Sequence, residues 1–382
     1  MMARGPRHTM IHELTLKGYR GFADYKVPGL ARVNLLLGTN NSGKTSVLEA
    51  VRLLCGSGDP SAIWQALAQR GERWFPDEPD RYVSRTAAEA DICHLFLGHE
   101  MELGTTFRIE SKNSIGERWI SYTVVEKTKH DAADHAPKRD PSDEPLFGRF
   151  SIAVGGDPAP PVKTFRLTAR GGLSADEIMR DIHARRRTTD LGNVQFLSTD
   201  FVSADYVLSN WAKIALRPEE DRIVKALQIL QPDLEAFRVV GGERYPGSRG
   251  GVIVKCKRSE LPVPIGSMGE GMWRILCLAM AVIRAQNGVL LVDEIDTGFH
   301  YTVMTQMWEM IIGASTQFDV QVFATTHSYD CVSSLAAACT KSASLCAHAN
   351  QVSIQRIERG TQAVAFTEAE FVSAAQHRIE IR

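Results

Sequence analysis

Residues Gly38-Thr39-Asn40-Asn41-Ser42-Gly43-Lys44-Thr45 fit the phosphate-binding pattern G-x-x-x-x-G-K-[ST]. Gly38 and Gly43 allow the backbone to turn its N–H groups toward phosphate oxygens. A helix opening just behind them adds the positive end of its dipole. Lys44 would reach the β and γ phosphates of a nucleotide and Thr45 would hold Mg²⁺, with Asn40, Asn41, Ser42 and Ser46 completing the contact set. Far along the chain, Asp293 and Glu294 stand together after a run of apolar residues. A carboxylate so placed suits the Mg²⁺ shell, and its neighbour suits activation of an attacking water. His327 follows another apolar run and could hydrogen-bond a γ-phosphate oxygen. A lone histidine is commonly structural; its position where neighbouring strands end together argues for function. Ser267-Met268-Gly269-Glu270 opens an amphipathic helix and offers a second anion site, although a plain capped helix after a glycine turn accounts for the same residues.

These residues need elements to carry them. Val33–Leu37 is a short apolar run of buried-strand type, and Val47, Leu48, Val51 and Leu54 share one helical face, so strand, loop and helix follow in the required order. Val289–Val292 and residues 320–324 are two more such runs. Between them Val303, Met304, Met307, Trp308, Ile311 and Ile312 form one helical face, which predicts a βαβ unit in a mostly parallel sheet with ligand sites at the strands' carboxyl ends. Ahead of the glycine-rich loop, residues 11–16 and 23–27 predict a small sheet. Residues 57–80 read as a surface excursion with one short helix over 62–69. Residues 92–97, 105–110, 119–125, 150–154 and 163–168 read as strands, and 174–187 and 219–231 as helices. The stretch 126–146 has almost nothing apolar and reads as a mobile loop. Its His130 and His135 lack a rigid scaffold for metal ligation.

With 382 residues, 44% of them hydrophobic, the chain is globular and large enough for two or three compact units. Lys plus Arg number 44 against 45 Asp plus Glu, so no global basic excess announces nucleic acid. The seven cysteines are scattered without a C-x-x-C pair, which argues against a disulfide framework or a zinc ribbon and fits a reducing cytoplasm. No apolar run is long enough for a membrane span, and the amino-terminal residues lack the apolar segment of a signal peptide.

Taken together, the motifs resemble the ABC-type ATPase heads of the SMC, RecF and OLD group. In that family Gly38 to Thr45 matches the Walker A loop, and Ser267-Met268-Gly269-Glu270 matches the signature, with Met268 in place of its first glycine. Val289 to Glu294 matches Walker B, and His327 is the switch histidine. The segment Leu14-Thr15-Leu16-Lys17-Gly18-Tyr19-Arg20-Gly21-Phe22 is similar to the family's amino-terminal strand, which implies that Arg20 contributes to nucleotide binding. After Walker B, Asp296-Thr297-Gly298-Phe299-His300 resembles the OLD-like branch. A Mg²⁺-linked glutamine has a candidate in Gln195, which an ordinary strand residue explains equally well.

The resemblance implies an α/β P-loop NTPase of ABC-ATPase head type. It would have a mostly parallel core sheet, an amino-terminal antiparallel β subdomain and an inserted α/β middle region. Residues 1–56 and 262–382 would form the two halves of the head, and 57–261 the insert. ATP and Mg²⁺ are the implied ligands, with catalysis by Glu294 and His327, metal held by Thr45 and Asp293, and Ser267, Gly269 and Glu270 acting in trans across a homodimer that sandwiches two ATP. The stretch beyond His327 is too short for the Toprim nuclease of OLD proteins, so a separately encoded effector, such as a nuclease, is expected, in DNA repair or antiphage defence. Asp91 with Glu110-Ser111-Lys112 only loosely mimics a nuclease core. DNA is a possible ligand through Arg185-Arg186-Arg187 and Lys138-Arg139, although a solvated helix end explains these arginines too. The alternative is an ATP-dependent scaffold or DNA clamp with slow hydrolysis. A membrane partner is not expected.

Overall fold

Continuous apolar runs bury both faces of a strand, and in this chain they assemble one parallel sheet. The computed structural model describes residues 10–74, 88–126, 148–155, 162–184, 193–198, 204–240, 251–259, 261–341, 351–377 and 379–381. The core sheet has six strands in the order β11 (Val194–Leu197), β15 (Val289–Val292), β16 (Gln321–Thr325), β3 (Val33–Leu37), β17 (Val352–Arg356) and β18 (Val364–Phe366). Its first five strands are parallel and β18 closes the edge antiparallel. Every residue of β3, β15 and β16 is buried. Within these strands alternate residues serve two cores: Leu35, Leu37, Leu290, Val292, Val322 and Ala324 face one, whereas Leu36, Leu291 and Phe323 face the other.

The first core is covered by helices, chiefly α4 (Ala204–Trp211), α5 (Glu219–Leu227), α6 (Glu270–Arg284), α7 (Tyr301–Phe318), α8 (Tyr329–Lys341) and α9 (Glu368–Gln376). The second is covered by α1 (Lys44–Gly56), α2 (Pro60–Gln69) and an antiparallel sheet in the order β2 (Phe22–Val27), β1 (Glu13–Tyr19), β6 (Thr106–Lys112), β7 (Glu117–Val125), β8 (Arg149–Gly155) and β9 (Val162–Arg166). Helix α1 therefore lies between two sheets, touching β11, β15 and β16 on one side and β6 and β7 on the other. Aromatic rings line the inner face of the antiparallel sheet: Phe107 and Tyr122 stack at 4.5 Å between centroids, with Tyr19, Phe96 and Phe150 around them. Two three-stranded sheets complete the described structure. One joins β10 (Leu173–Ser174), β5 (Glu89–Ala90) and β4 (Arg73–Trp74); the other joins β12 (Leu234–Val239), β13 (Val252–Cys256) and β14 (Val263–Pro264).

Several expectations change. Residues 92–97 are not a strand but two 3-10 turns, Ile92–Leu95 and Leu97–His99, because the Asp91 carboxylate accepts from the Cys93 N–H and starts a turn. Within the span 57–261, β6 pairs with β1, so β6 to β9 extend the amino-terminal sheet, and β11 is an edge strand of the core sheet. The helix expected over 174–187 is α3 (Ala175–Ala184), and Arg185 to Arg187 lie outside the described residues, as do 127–147 with His130, His135, Lys138 and Arg139. The helix expected over 219–231 ends as α5 at Leu227. The six described cysteines form no disulfide, and no described helix is long and apolar enough to cross a membrane.

Candidate active site

Three adjacent strands, β15, β16 and β3, end within a residue of one another, since Val292 pairs with Ala324 and Thr325 with Leu36. The segments leaving those ends carry the candidate residues. Gly38 (φ 143°) and Gly43 (φ 100°) hold the loop in conformations that side chains resist. Space forbids side chains there too: a Cβ on Gly38 would stand 2.3 Å from the Ile357 carbonyl oxygen, and one on Gly43 would stand 2.4 Å from Phe22 Cζ. The loop is thus clamped between the end of β17 and the ring of Phe22, which gives the amino-terminal strand motif a packing role. No side chain caps α1 at Gly43, and a helix start left uncapped is an anion site. Ser42 Oγ is buried without a partner, a donor positioned in the loop and not yet used. Asn40 and Asn41 are exposed, Asn41 with φ 63°.

Lys44 is buried at 6% exposure and bends back to donate to the carbonyl oxygens of Gly38 and Thr39, both at 2.9 Å. Burial pushes its ammonium below the ordinary lysine pKa, and Asp293 and Glu294 partly oppose that shift. Thr45 Oγ1 stands 3.3 Å from both oxygens of Asp293, so hydroxyl and carboxylate converge as the hard oxygen donors that Mg²⁺ takes. Thr325, at the end of β16, donates to Asp293 Oδ1 at 2.6 Å and accepts the Glu294 N–H at 2.8 Å. Glu294 occupies the left-handed region with φ 45°, a strained conformation for a residue with a side chain, and accepts from Thr297 Oγ1 at 3.3 Å. Thr326 donates to Asp296, and half-buried His327 follows it directly.

A residue absent from the sequence reading holds this turn in place. Arg274, on α6 and 7% exposed, donates to the carbonyl oxygens of Ser198, Asp293 and Glu294 at 2.8, 3.0 and 3.1 Å. It links the signature helix to the backbone that carries both acidic residues. Ser267 and Gly269, ahead of that helix, are exposed, as is Glu270 at its first turn. Gln195 sits inside β11 opposite Leu290, below the strand ends.

Two expected nucleotide contacts are committed elsewhere. Arg20 is 4% exposed; it pairs through Nε with Glu49 at 2.8 Å and through Nη1 and Nη2 with Glu72 at 2.9 and 3.0 Å. Its Nη1 also donates to the His94 carbonyl. With its donors so occupied, Arg20 braces α1 against the antiparallel sheet in this structure. Glu49, itself buried, accepts from Arg70 at 2.7 Å, and Arg70 reaches Ser46 Oγ at 3.0 Å. Ser46 is therefore the end of an ionic chain that starts at buried Arg20 and Glu49 and runs through exposed Arg70.

A family model that spans the glycine-rich loop agrees with this geometry. The AAA ATPase domain family matches residues 10–203, just over half of the chain. A second AAA domain family, whose description suggests the AbiEii toxin of a type IV toxin–antitoxin system as a member, matches residues 254–332. A protein of Helicobacter pylori (strain ATCC 700392 / 26695) named ATP/GTP phosphatase is 20% identical over 332 residues, covering 84% of this chain and 86% of its own. Among solved structures, the SMC head of Thermotoga maritima is 12% identical with a TM-score of 0.43, covering 94% of this chain and 98% of that one. A Pyrococcus furiosus Smc head bound to the carboxy-terminal domain of ScpA is 12% identical with a TM-score of 0.47, covering 97% and 100%. With its glycine-rich loop and acidic strand end on one parallel sheet, the chain belongs to the AAA ATPase domain family.

Proposed function

We propose that two copies of this chain close on two ATP molecules and that hydrolysis at each site resets the closed pair. The observation that carries the proposal is the convergence of Lys44, Thr45, Asp293 and Thr325 at the ends of three neighbouring strands. ATP entry draws Lys44 from the Gly38 and Thr39 carbonyls onto the β and γ phosphates, while Ser42 and the first turn of α1 receive the remaining phosphate oxygens. Mg²⁺ held by Thr45 and Asp293 would neutralise charge on the β and γ oxygens. Glu294 takes the proton of the attacking water, and His327 holds a γ-phosphate oxygen in line. Arg274 keeps Glu294 where that water must stand.

The exposure of Ser267, Gly269 and Glu270 supports their use in trans, because a surface site is open to the phosphate of a second copy that docks against it. The closed pair then gates a separate effector, such as a nuclease, in DNA repair or antiphage defence, in a cytoplasm whose reducing conditions suit cysteines that form no disulfide. DNA would be met through the basic Arg185 to Arg187.

Mixing two defective variants tests the closed pair. Ser267→Arg should bind one nucleotide per chain yet fail to hydrolyse it, and Lys44→Ala should fail to bind. Combined, they leave one intact composite site per heterodimer, so activity should return. A mixture as inactive as its components would sink the trans arrangement while leaving nucleotide binding by each copy intact.

A further inference from the structure

Away from the glycine-rich loop, Asp91, Cys93 and His94 gather on the turn Ile92–Leu95, each half-buried, with one ligand atom from each within 4.8 Å of the other two. The turn explains the gathering. In a 3-10 turn residues three apart eclipse one another, so fully buried Ile92 and Leu95 form its inner edge and Asp91 and His94 share the next one. Asp91 Oδ1 is occupied by the Cys93 N–H at 3.2 Å, which leaves Oδ2 facing His94 Nε2 at 3.6 Å. The other ring nitrogen, His94 Nδ1, lies 3.1 Å from His99 Nδ1. His99 reaches it by way of Gly98 and its own left-handed conformation, φ 74° and 61°, which fold the chain back. When Nδ1 of His94 carries the hydrogen of that bond, its Nε2 presents a lone pair to a carboxylate oxygen, with a thiol alongside. A carboxylate oxygen, a ring nitrogen and a thiol that converge in this way make a place for a cation once the thiol releases the proton that it shares with Asp91.

We propose that Asp91, Cys93 and His94 form a site for a divalent transition metal of zinc type, with His99 orienting the His94 ring. Oxygen, sulfur and nitrogen donors together suit a borderline cation and disfavour Mg²⁺, and three protein ligands leave one position for water. The hydrogen bond from His94 to His99 is the outer-shell contact that fixes a ligating imidazole. On binding, the Cys93 thiol gives its proton to solvent and the thiolate takes the metal. The site is also tied to the ATPase core, because the carbonyls of His94 and Leu95 accept from Arg20 Nη1 and the Arg20 N–H, at 3.2 and 2.9 Å. An ion at one side of the turn therefore steadies the carbonyls that hold Arg20 against Glu49 of α1.

Cobalt is the probe. Full-length protein stripped with chelator and dialysed is titrated with Co²⁺ in the absence of nucleotide. The expected result is about one cobalt per chain with a thiolate-to-cobalt charge-transfer absorption. Cys93→Ser should lose that absorption, and His99→Ala should weaken binding about 10–100-fold. Zn²⁺ should displace the cobalt and raise the melting temperature of the wild type but not of Cys93→Ser. Melting curves of the metal-free proteins establish that each variant folds, and Cys93→Ala replaces Cys93→Ser if that variant does not. Cobalt bound without the absorption, an undiminished absorption in Cys93→Ser, or no cobalt retained by folded wild type overturns the site.

Discussion

Glu294 and Arg274 divide the work of one carboxylate between chemistry and placement. Glu294→Gln keeps the shape and removes the base, so kcat should fall about 10²–10⁴-fold while ATP still binds, which single-turnover assays and equilibrium binding separate. Turnover within a few-fold of wild type would exclude Glu294 as the base. Arg274→Met removes three hydrogen bonds to carbonyl oxygens without touching substrate. We expect a kcat loss of about 10²-fold from misplacement of the acidic turn, with ATP affinity changed little. A full-strength Arg274→Met enzyme would show that the turn holds itself. At this scale the glycine-rich loop and the acidic pair were legible, because each chemical role demands a residue type at a fixed spacing. Arg274 was not: its partners are backbone carbonyls of distant segments, and a cation inside an amphipathic helix carries no mark of them. Thr325 was hidden for a similar reason, as a threonine ending an apolar run looks like strand sequence until the neighbouring strand brings Asp293 to it.

Helix α1 is the element on which the site depends, and its two supports make separate predictions. Gly43→Ala should abolish nucleotide binding, since φ 100° strains any side chain and the new Cβ would meet Phe22 at 2.4 Å. Retained binding would mean that the loop can move off Phe22. Arg20→Met leaves Glu49 buried with one fewer partner. Breaking a buried pair costs about 3–5 kcal/mol, so the melting temperature should drop sharply while the folded fraction binds ATP nearly as well. An unchanged melting temperature with weakened ATP binding would restore Arg20 to the nucleotide. Element by element, the apolar runs of β3, β15 and β16 announced themselves because both faces of each strand are buried. Residues 92–97 misled because a short cluster such as Ile92, Leu95, Phe96 and Leu97 is too brief for its period to separate strand from turn, and Asp91 settles the choice only through a hydrogen bond two residues on. The pairing of β6 with β1 joins segments far apart in sequence, and no local pattern reveals which strands will be neighbours.

At the scale of the molecule, the trapped state and the DNA question can be measured together. Glu294→Gln with ATP should run as a dimer in size-exclusion chromatography coupled to light scattering, and wild type should not once ATP is spent; a monomeric Glu294→Gln would count against closure on nucleotide. Changing Arg185, Arg186 and Arg187 together to Glu should weaken DNA binding that is independent of sequence and steeply salt-dependent, while basal hydrolysis persists. Unchanged DNA affinity at low salt would remove these arginines from any DNA role. The location of α1 sets what such a molecule can transmit. Its residues from Ser46 to Ala50, with Val51, Leu53 and Leu54, are buried, and sheets enclose it on two sides. A helix so enclosed has no free surface to slide along, and interiors packed this densely pass strain on rather than absorb it. Any displacement that begins at Lys44 must therefore be shared with β6 and β7, so the far edge of the antiparallel sheet becomes a pointer whose angle reports what the loop holds.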